Sequence, residues 1–133
     1  MMKVIVCLDD KNGMLFGNRR QSRDRIVVED ICKMTDILSI HTFSEKLFSE
    51  VTLQLNVKDD FLKEAKEGEF CFVENQPLIG YEDKIEEIVV DGWNRVYPSD
   101  KQFDISLVNW KVVSEEEFAG YSHEKITKRI YRR

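Results

Sequence analysis

The run Val4-Ile-Val-Cys-Leu8 is apolar at every position over the length of one strand. Such a segment suits a central strand covered on both faces, so Lys3 to Leu8 reads as a buried first strand. Asp9 to Gly17 reads as a loop with glycines at Gly13 and Gly17. Ser22 or Asp24 then caps a helix whose buried face is Val27, Ile31 and Met34. Asp36 to His41 reads as a second short strand. Thr42-Phe-Ser-Glu45 has capping-box spacing, and Phe43 with Leu47 gives the apolar stripe of a short second helix.

Val51-Thr-Leu-Gln-Leu55 alternates strictly, the mark of a half-exposed strand. Asp59 or Asp60 opens a third helix carrying Phe61, Leu62 and Ala65, with Gly68 at its end. Phe70 to Val73 is the next buried strand, and Pro77 to Tyr81 has room only for a brief turn of helix. Ile85 to Val90 is a strand, and Phe103 to Val113 is another, with Trp110 buried on it. Lys125 to Tyr131 fits either a strand, with Thr127, Arg129 and Tyr131 on one face, or a helical turn on Ile126 and Ile130. Strands alternate with helices early and dominate late. The pattern implies an α/β fold: a three-layer sandwich whose mixed, mostly parallel sheet has helices on both faces and ends in an antiparallel hairpin.

A length of 133 residues makes one domain, 1–133, large enough to bury roughly two-thirds of its unfolded surface. A formal net charge of −5 argues against general nucleic-acid binding, which needs a basic face, and leaves only a local basic patch for that role. Cys7, Cys32 and Cys71 lie far apart inside apolar runs, as expected of free thiols in a reducing, cytoplasmic protein. No segment approaches membrane-spanning length, and Val4–Leu8 is too short for the core of a signal peptide. An exposed strand near Val51–Leu55 offers an edge for a homodimer.

The basic patch sits in Arg19-Arg-Gln-Ser-Arg-Asp-Arg25, with four arginines in seven residues ahead of a helix start. It can hold a small anion, a nucleotide or an RNA backbone, or it is a solvated loop paired with Asp9, Asp10, Asp24 and Glu29. Asp9 and Asp10 follow a strand end and, with Asp24, have the chemistry for magnesium, but their spacing is unspecific and reads as loop solvation, so no metal site is expected. His41 and His123 stand far apart and read as ordinary structural or exposed histidines. There is no Gly-x-Ser-x-Gly nucleophile turn and no phosphate loop ending in Gly-Lys-Ser/Thr.

The order of motifs resembles dihydrofolate reductase, compressed. In that family the first strand leads into an active-site loop, for which Leu8-Asp-Asp-Lys-Asn-Gly-Met-Leu-Phe-Gly17 stands here. Ser39-Ile-His-Thr42 takes the place of Gly-Arg-x-Thr at the end of the second strand, and Glu74-Asn75 takes the place of Gly-Gly after a buried strand. Arg95-Val-Tyr-Pro-Ser-Asp100 is similar to the family's Thr-x-Phe-Pro segment, and Trp110–Phe118 with Tyr121–Arg133 to its closing hairpin. The opening is also similar to small bacterial proteins labelled ribonuclease Z, but the His-x-His-x-Asp-His metal motif of that enzyme is absent.

The resemblance implies a catalytic carboxylate on the first helix, with Asp24 or Asp30 in that place, and an anion site drawn from Asn18, Arg19, Arg20, Arg23, His41 and Thr42. It also implies a degenerate cofactor turn. Glycines let backbone N–H groups approach a pyrophosphate, whereas Glu74 sets a carboxylate there. Standard NADPH binding is therefore disfavoured. The expectation is a reductase-like domain for a small anionic or heterocyclic ligand, or a non-enzymatic phosphate, nucleotide or RNA binder, including a nuclease-like role, using the Arg19–Arg25 loop.

Overall fold

The computed structural model describes residues 1–133. Its elements run β1 (Met2–Leu8), β2 (Gly13–Phe16), β3 (Arg19–Arg20), α1 (Arg25–Met34), β4 (Ile37–Ile40), a 3-10 helix (Thr42–Phe48), β5 (Gln54–Val57), β6 (Phe70–Phe72), a second 3-10 helix (Ile79–Lys84), β7 (Ile85–Gly92), β8 (Lys101–Gln102), β9 (Lys111–Phe118) and β10 (Ile126–Arg132). The main sheet has the order β5-β4-β6-β1-β7-β10-β9, and β3-β2-β8 form a small second sheet. The first four pairings of the main sheet are parallel and the last two antiparallel.

β1 sits near the centre, and alternation of its side chains divides the core. Val4, Val6 and Leu8 join a cluster with Phe61, Leu62, Leu78, Phe103 and Trp110 on one face. Ile5 joins Val27 and Ile31 of α1, with Phe48, Phe72, Val89 and Trp93, on the other. This two-sided burial is what the unbroken apolar run of β1 encodes.

Helices cover the two faces unequally. α1 and the first 3-10 helix cover one, while turns, the small sheet and the segment between β8 and β9 cover most of the other. The helix expected from Asp59 is a turn: Glu64 donates back to Asp60, but no helix follows, although Phe61 and Leu62 are buried as anticipated. Two adjacent apolar residues can plug a sheet face without a helix to present them.

The second expected helix is a 3-10 segment capped by His41, whose ring nitrogen accepts from Phe43 N–H, with Ser44 and Phe48 rather than Phe43 and Leu47 as its buried residues. The alternating strand lies three residues later, at Gln54–Val57, as the parallel edge of the sheet. Phe103–Val113 is not one strand: it splits into an irregular segment and β9, with Trp110 buried just ahead of β9. Lys125–Tyr131 resolves as strand.

The Asp9–Gly17 loop contains half of a hairpin. β2 pairs antiparallel with β3, Phe16 facing Arg19, across the two-residue turn Gly17-Asn18. Both turn residues have positive φ, +58° and +60°, the pattern of a type I′ turn matched to strand twist. Asn18, anticipated as an anion ligand, is thus a turn residue.

At the packed centre, Phe48 meets Phe72 edge to face, with ring centroids 5.2 Å apart. Phe48→Ala is expected to cost about 3–5 kcal/mol, measured as a lower urea midpoint with unchanged slope.

Candidate functional site

The connection leaving β1 crosses one face of the sheet through α1, whereas the chain leaving β6 crosses the other through Leu78 and the second 3-10 helix. The carboxyl ends of neighbouring β1 and β6 thus open a crevice, the usual ligand position of an open α/β sheet. Cys7, Arg20, Ser22, Val73, Glu74 and Trp93 are among the residues that line it. Its cavity of about 10 Å³ is the space of a single water, far below the roughly 300–1,000 Å³ of small-molecule pockets.

An ion pair closes the crevice. Arg20 donates through Nε and Nη2 to the two oxygens of Glu74, both at 2.8 Å, and Ser44 Oγ donates to Glu74 Oε1 at 2.7 Å. The hydrogen bonds to Glu74 raise the Arg20 pKa above its ordinary value against the opposing effect of burial. Glu74 is 8% exposed, so it is a buried acceptor.

The other arginines are dispersed. Arg25 lies over the Tyr121 ring, 4.4 Å from its centroid, while Arg19 and Arg23 are exposed. None pairs with Asp9, Asp10, Asp24 or Glu29, as a solvated, self-neutralised loop requires. His41 Nε2 lies 3.3 Å from Asp59 Oδ1, to which Thr42 Oγ1 also donates. These two residues therefore surround a carboxylate and not Arg20.

Asp9 is a turn organiser. Its carboxylate, 4% exposed, accepts from the N–H groups of Lys11, Gly13 and Tyr97 and from Gln21 Nε2. Burial raises its pKa, but these bonds outweigh burial and lower it overall. No group of three or more histidine, cysteine, aspartate or glutamate side chains converges with metal-ligand geometry.

Asp24 caps α1, accepting from Ile26 N–H, and also accepts from the N–H groups of Tyr121 and Ser122. His123 Nδ1 lies 2.8 Å from Asp24 Oδ2, and His123 Nε2 lies 2.9 Å from Ser22 Oγ and 3.1 Å from Tyr97 Oη. Burial pushes the Asp24 carboxyl up, but these hydrogen bonds prevail and hold it well below the usual carboxylate range. A general acid must carry a proton to deliver, so this environment opposes that role. Gly120 lets the contact close: a Cβ there would lie 2.6 Å from Asp24 Oδ2 and 3.0 Å from the His123 carbonyl oxygen.

Asp30, further along α1, pairs with Lys128 Nζ at 2.8 Å. Near it lies Asp91, fully buried, with neither carboxyl oxygen hydrogen-bonded. Burial first, then the neighbouring Asp30 charge, pushes Asp91 up to about 7, against the opposing effect of Lys128. Asp91 and the His123–Ser22 pairing carry no local sequence signal. His123 stands 99 positions from Asp24 and 101 from Ser22.

No protein-family model and no curated protein matches the sequence. A solved structure of dihydrofolate reductase from Enterococcus faecalis, complexed with NADP(H) and RAB-propyl, matches with a TM-score of 0.70 at 10% identity, covering 100% of this chain and 96% of that one. The fold is therefore dihydrofolate reductase-like, and the sequence is divergent. No helix is long and apolar enough to cross a membrane.

Below about pH 4 Asp91 is protonated in both folded and unfolded chains. Between there and about 7 only the unfolded chain ionises it, so its contribution to stability falls with rising pH and then levels off. Asp91→Asn is expected to be near neutral at pH 4 and to stabilise by roughly 2–4 kcal/mol at pH 8, measured by denaturation at both pH values. Gly120→Ala is expected to destabilise by about 1–3 kcal/mol, with weakened hydrogen-exchange protection at the Tyr121 and Ser122 amides.

Proposed function

We propose that this chain is a reductase-like binding domain that does not carry out NADPH-dependent reduction and takes a small anionic or heterocyclic ligand in the β1–β6 crevice. The observation that carries this reading is the Glu74 carboxylate, held by Arg20 and Ser44 at the turn after β6. There the family resemblance calls for glycines and a pyrophosphate. The residues do not fit that group. Glu74 occupies the anion position itself, and a second anion in direct contact would be repelled by roughly 4 kcal/mol at a protein surface.

A small ligand carboxylate or phosphate monoester enters by exchange, taking the place of Glu74 on the Arg20 fork, whereas a dinucleotide pyrophosphate also needs the close backbone N–H groups that a glycine turn supplies and this turn lacks. Trp93 and Val73 offer apolar walls for a small ring once the crevice opens. Asp24 serves in this reading as a structural anchor of the crevice wall and not as a proton donor.

A second reading is favoured by the exposure of Arg19 and Arg23. A phosphate-bearing partner, a nucleotide or an RNA backbone, binds the outer side of that loop without entering the crevice. In this reading Arg19→Ala with Arg23→Ala weakens binding and flattens its salt dependence.

Thermal melts separate these possibilities. NADPH is expected to leave the midpoint unchanged, whereas a ligand present at 100 times its dissociation constant stabilises by about 2.7 kcal/mol. Screening small carboxylates, phosphate monoesters and pterins is expected to give a shift that Arg20→Ala abolishes. A saturable NADPH shift overturns the first reading.

A further inference from the structure

We propose that Ser22, His123 and Asp24 form a nucleophile–base–carboxylate relay that cleaves small carboxylic esters at the rim of the crevice. The inference does not rest on the ligand reading above. It rests on three side chains from two distant segments meeting in a line, Ser22 Oγ to His123 Nε2 at 2.9 Å and His123 Nδ1 to Asp24 Oδ2 at 2.8 Å. Such a relay is recognised by geometry and roles, not by position in the chain.

Each member has the surroundings its role needs. Asp24 is locked by the N–H groups of Ile26, Tyr121 and Ser122, so its carboxylate is set in orientation as well as charge. That carboxylate selects the His123 tautomer with the proton on Nδ1, leaving the Nε2 lone pair toward Ser22. Trp93 stacks on the imidazole, with ring centroids 4.6 Å apart and planes 25° apart, and holds the ring plane. The base is buried while Ser22 is partly exposed and borders the crevice, so an acyl carbon reaches Oγ from solvent without entering the interior.

The chemistry closes without any group the chain lacks. Ser22 Oγ attacks the ester carbonyl carbon as its proton passes to His123 Nε2. The tetrahedral adduct expels the alcohol, which leaves with that proton, and an acyl-Ser22 remains. Water then gives a proton to His123 Nε2 and its oxygen to the acyl carbon; as the second tetrahedral adduct collapses, His123 returns that proton to the departing Ser22 Oγ, releasing the acid and restoring Ser22 and the neutral base. The N–H groups of Ser22 and Arg23 have no backbone partner within the chain, so free donors lie next to the nucleophile in sequence.

Tyr97 makes the assignment testable. Its hydroxyl, 3.1 Å from the same His123 Nε2, competes with Ser22 for one lone pair. A network that only ties the 120–123 turn to α1 gains nothing from losing that hydroxyl, whereas a relay gains a freer base.

The experiment treats the full chain with a fluorophosphonate and locates the adduct by intact mass and peptide mapping, with p-nitrophenyl acetate turnover read in parallel. One adduct on Ser22 is expected, absent in Ser22→Ala. Its rate should fall about a hundredfold or more in His123→Gln and hold or rise in Tyr97→Phe. Circular dichroism checks that each variant is folded, and Ser22→Ala with Tyr97→Phe decide the matter if His123→Gln is not. An unmodified Ser22 in the folded protein overturns the proposal. So does an adduct that survives Ser22→Ala, one that is indifferent to a folded His123→Gln, or one slowed by Tyr97→Phe.

Discussion

One buried carboxylate ties the start of the first helix to the turn that enters the last strand. Asp24 satisfies an N–H at the start of α1 and two N–H groups of a turn almost a hundred residues downstream, and it orients His123 besides. A carboxylate can stay charged inside a protein only when several donors replace its water, and here the donors come from both ends of the fold. The helix that covers one sheet face and the turn entering β10 thus share a single anchor. Packing of Val27 and Ile31 sets where the helix lies; Asp24 sets where it begins.

The crevice beside that anchor is closed from within. In an open α/β sheet the carboxyl ends of the strands are where ligands collect, and this chain fills the position with its own anion–cation pair. Burying two charges is costly unless geometry is good and remaining lone pairs are satisfied. The two-pronged contact of Arg20 and the added donor Ser44 supply both conditions. The dihydrofolate reductase-like architecture persists at 10% identity because it depends on apolar patterning, which many sequences supply. The chemistry of the crevice depends on individual side chains, which 10% identity leaves free to differ.

That distinction explains what the sequence disclosed. β1 and β6 are buried on both faces, so their apolar runs identify them without any knowledge of partners. β9 has seven exposed positions of eight, hence no burial period, and only its pairing with β10 makes it a strand. Phe61 and Leu62 signalled burial correctly but not the turn that delivers it. At the site, Glu74 is legible as an acid at the turn after a buried strand, while its partner Arg20, 54 residues away, carries no local mark that sets it apart from the neighbouring arginines. Asp24 was legible as a cap because capping is local. Its bond to His123 was not, because nothing near either residue specifies the other.

The two-residue turn at Gly17-Asn18 has an effect beyond its own hairpin. Surface loops ordinarily absorb insertions at little cost, yet here the count of residues is a gauge. Arg20 ends the short strand that this turn sets in register, and side chains along a strand alternate between faces. One added residue that slid the pairing by a single step would carry the guanidinium away from Glu74 and leave that carboxylate stranded. The spacing from Phe16 to Arg20 is therefore as much a part of the crevice as the charges that meet there.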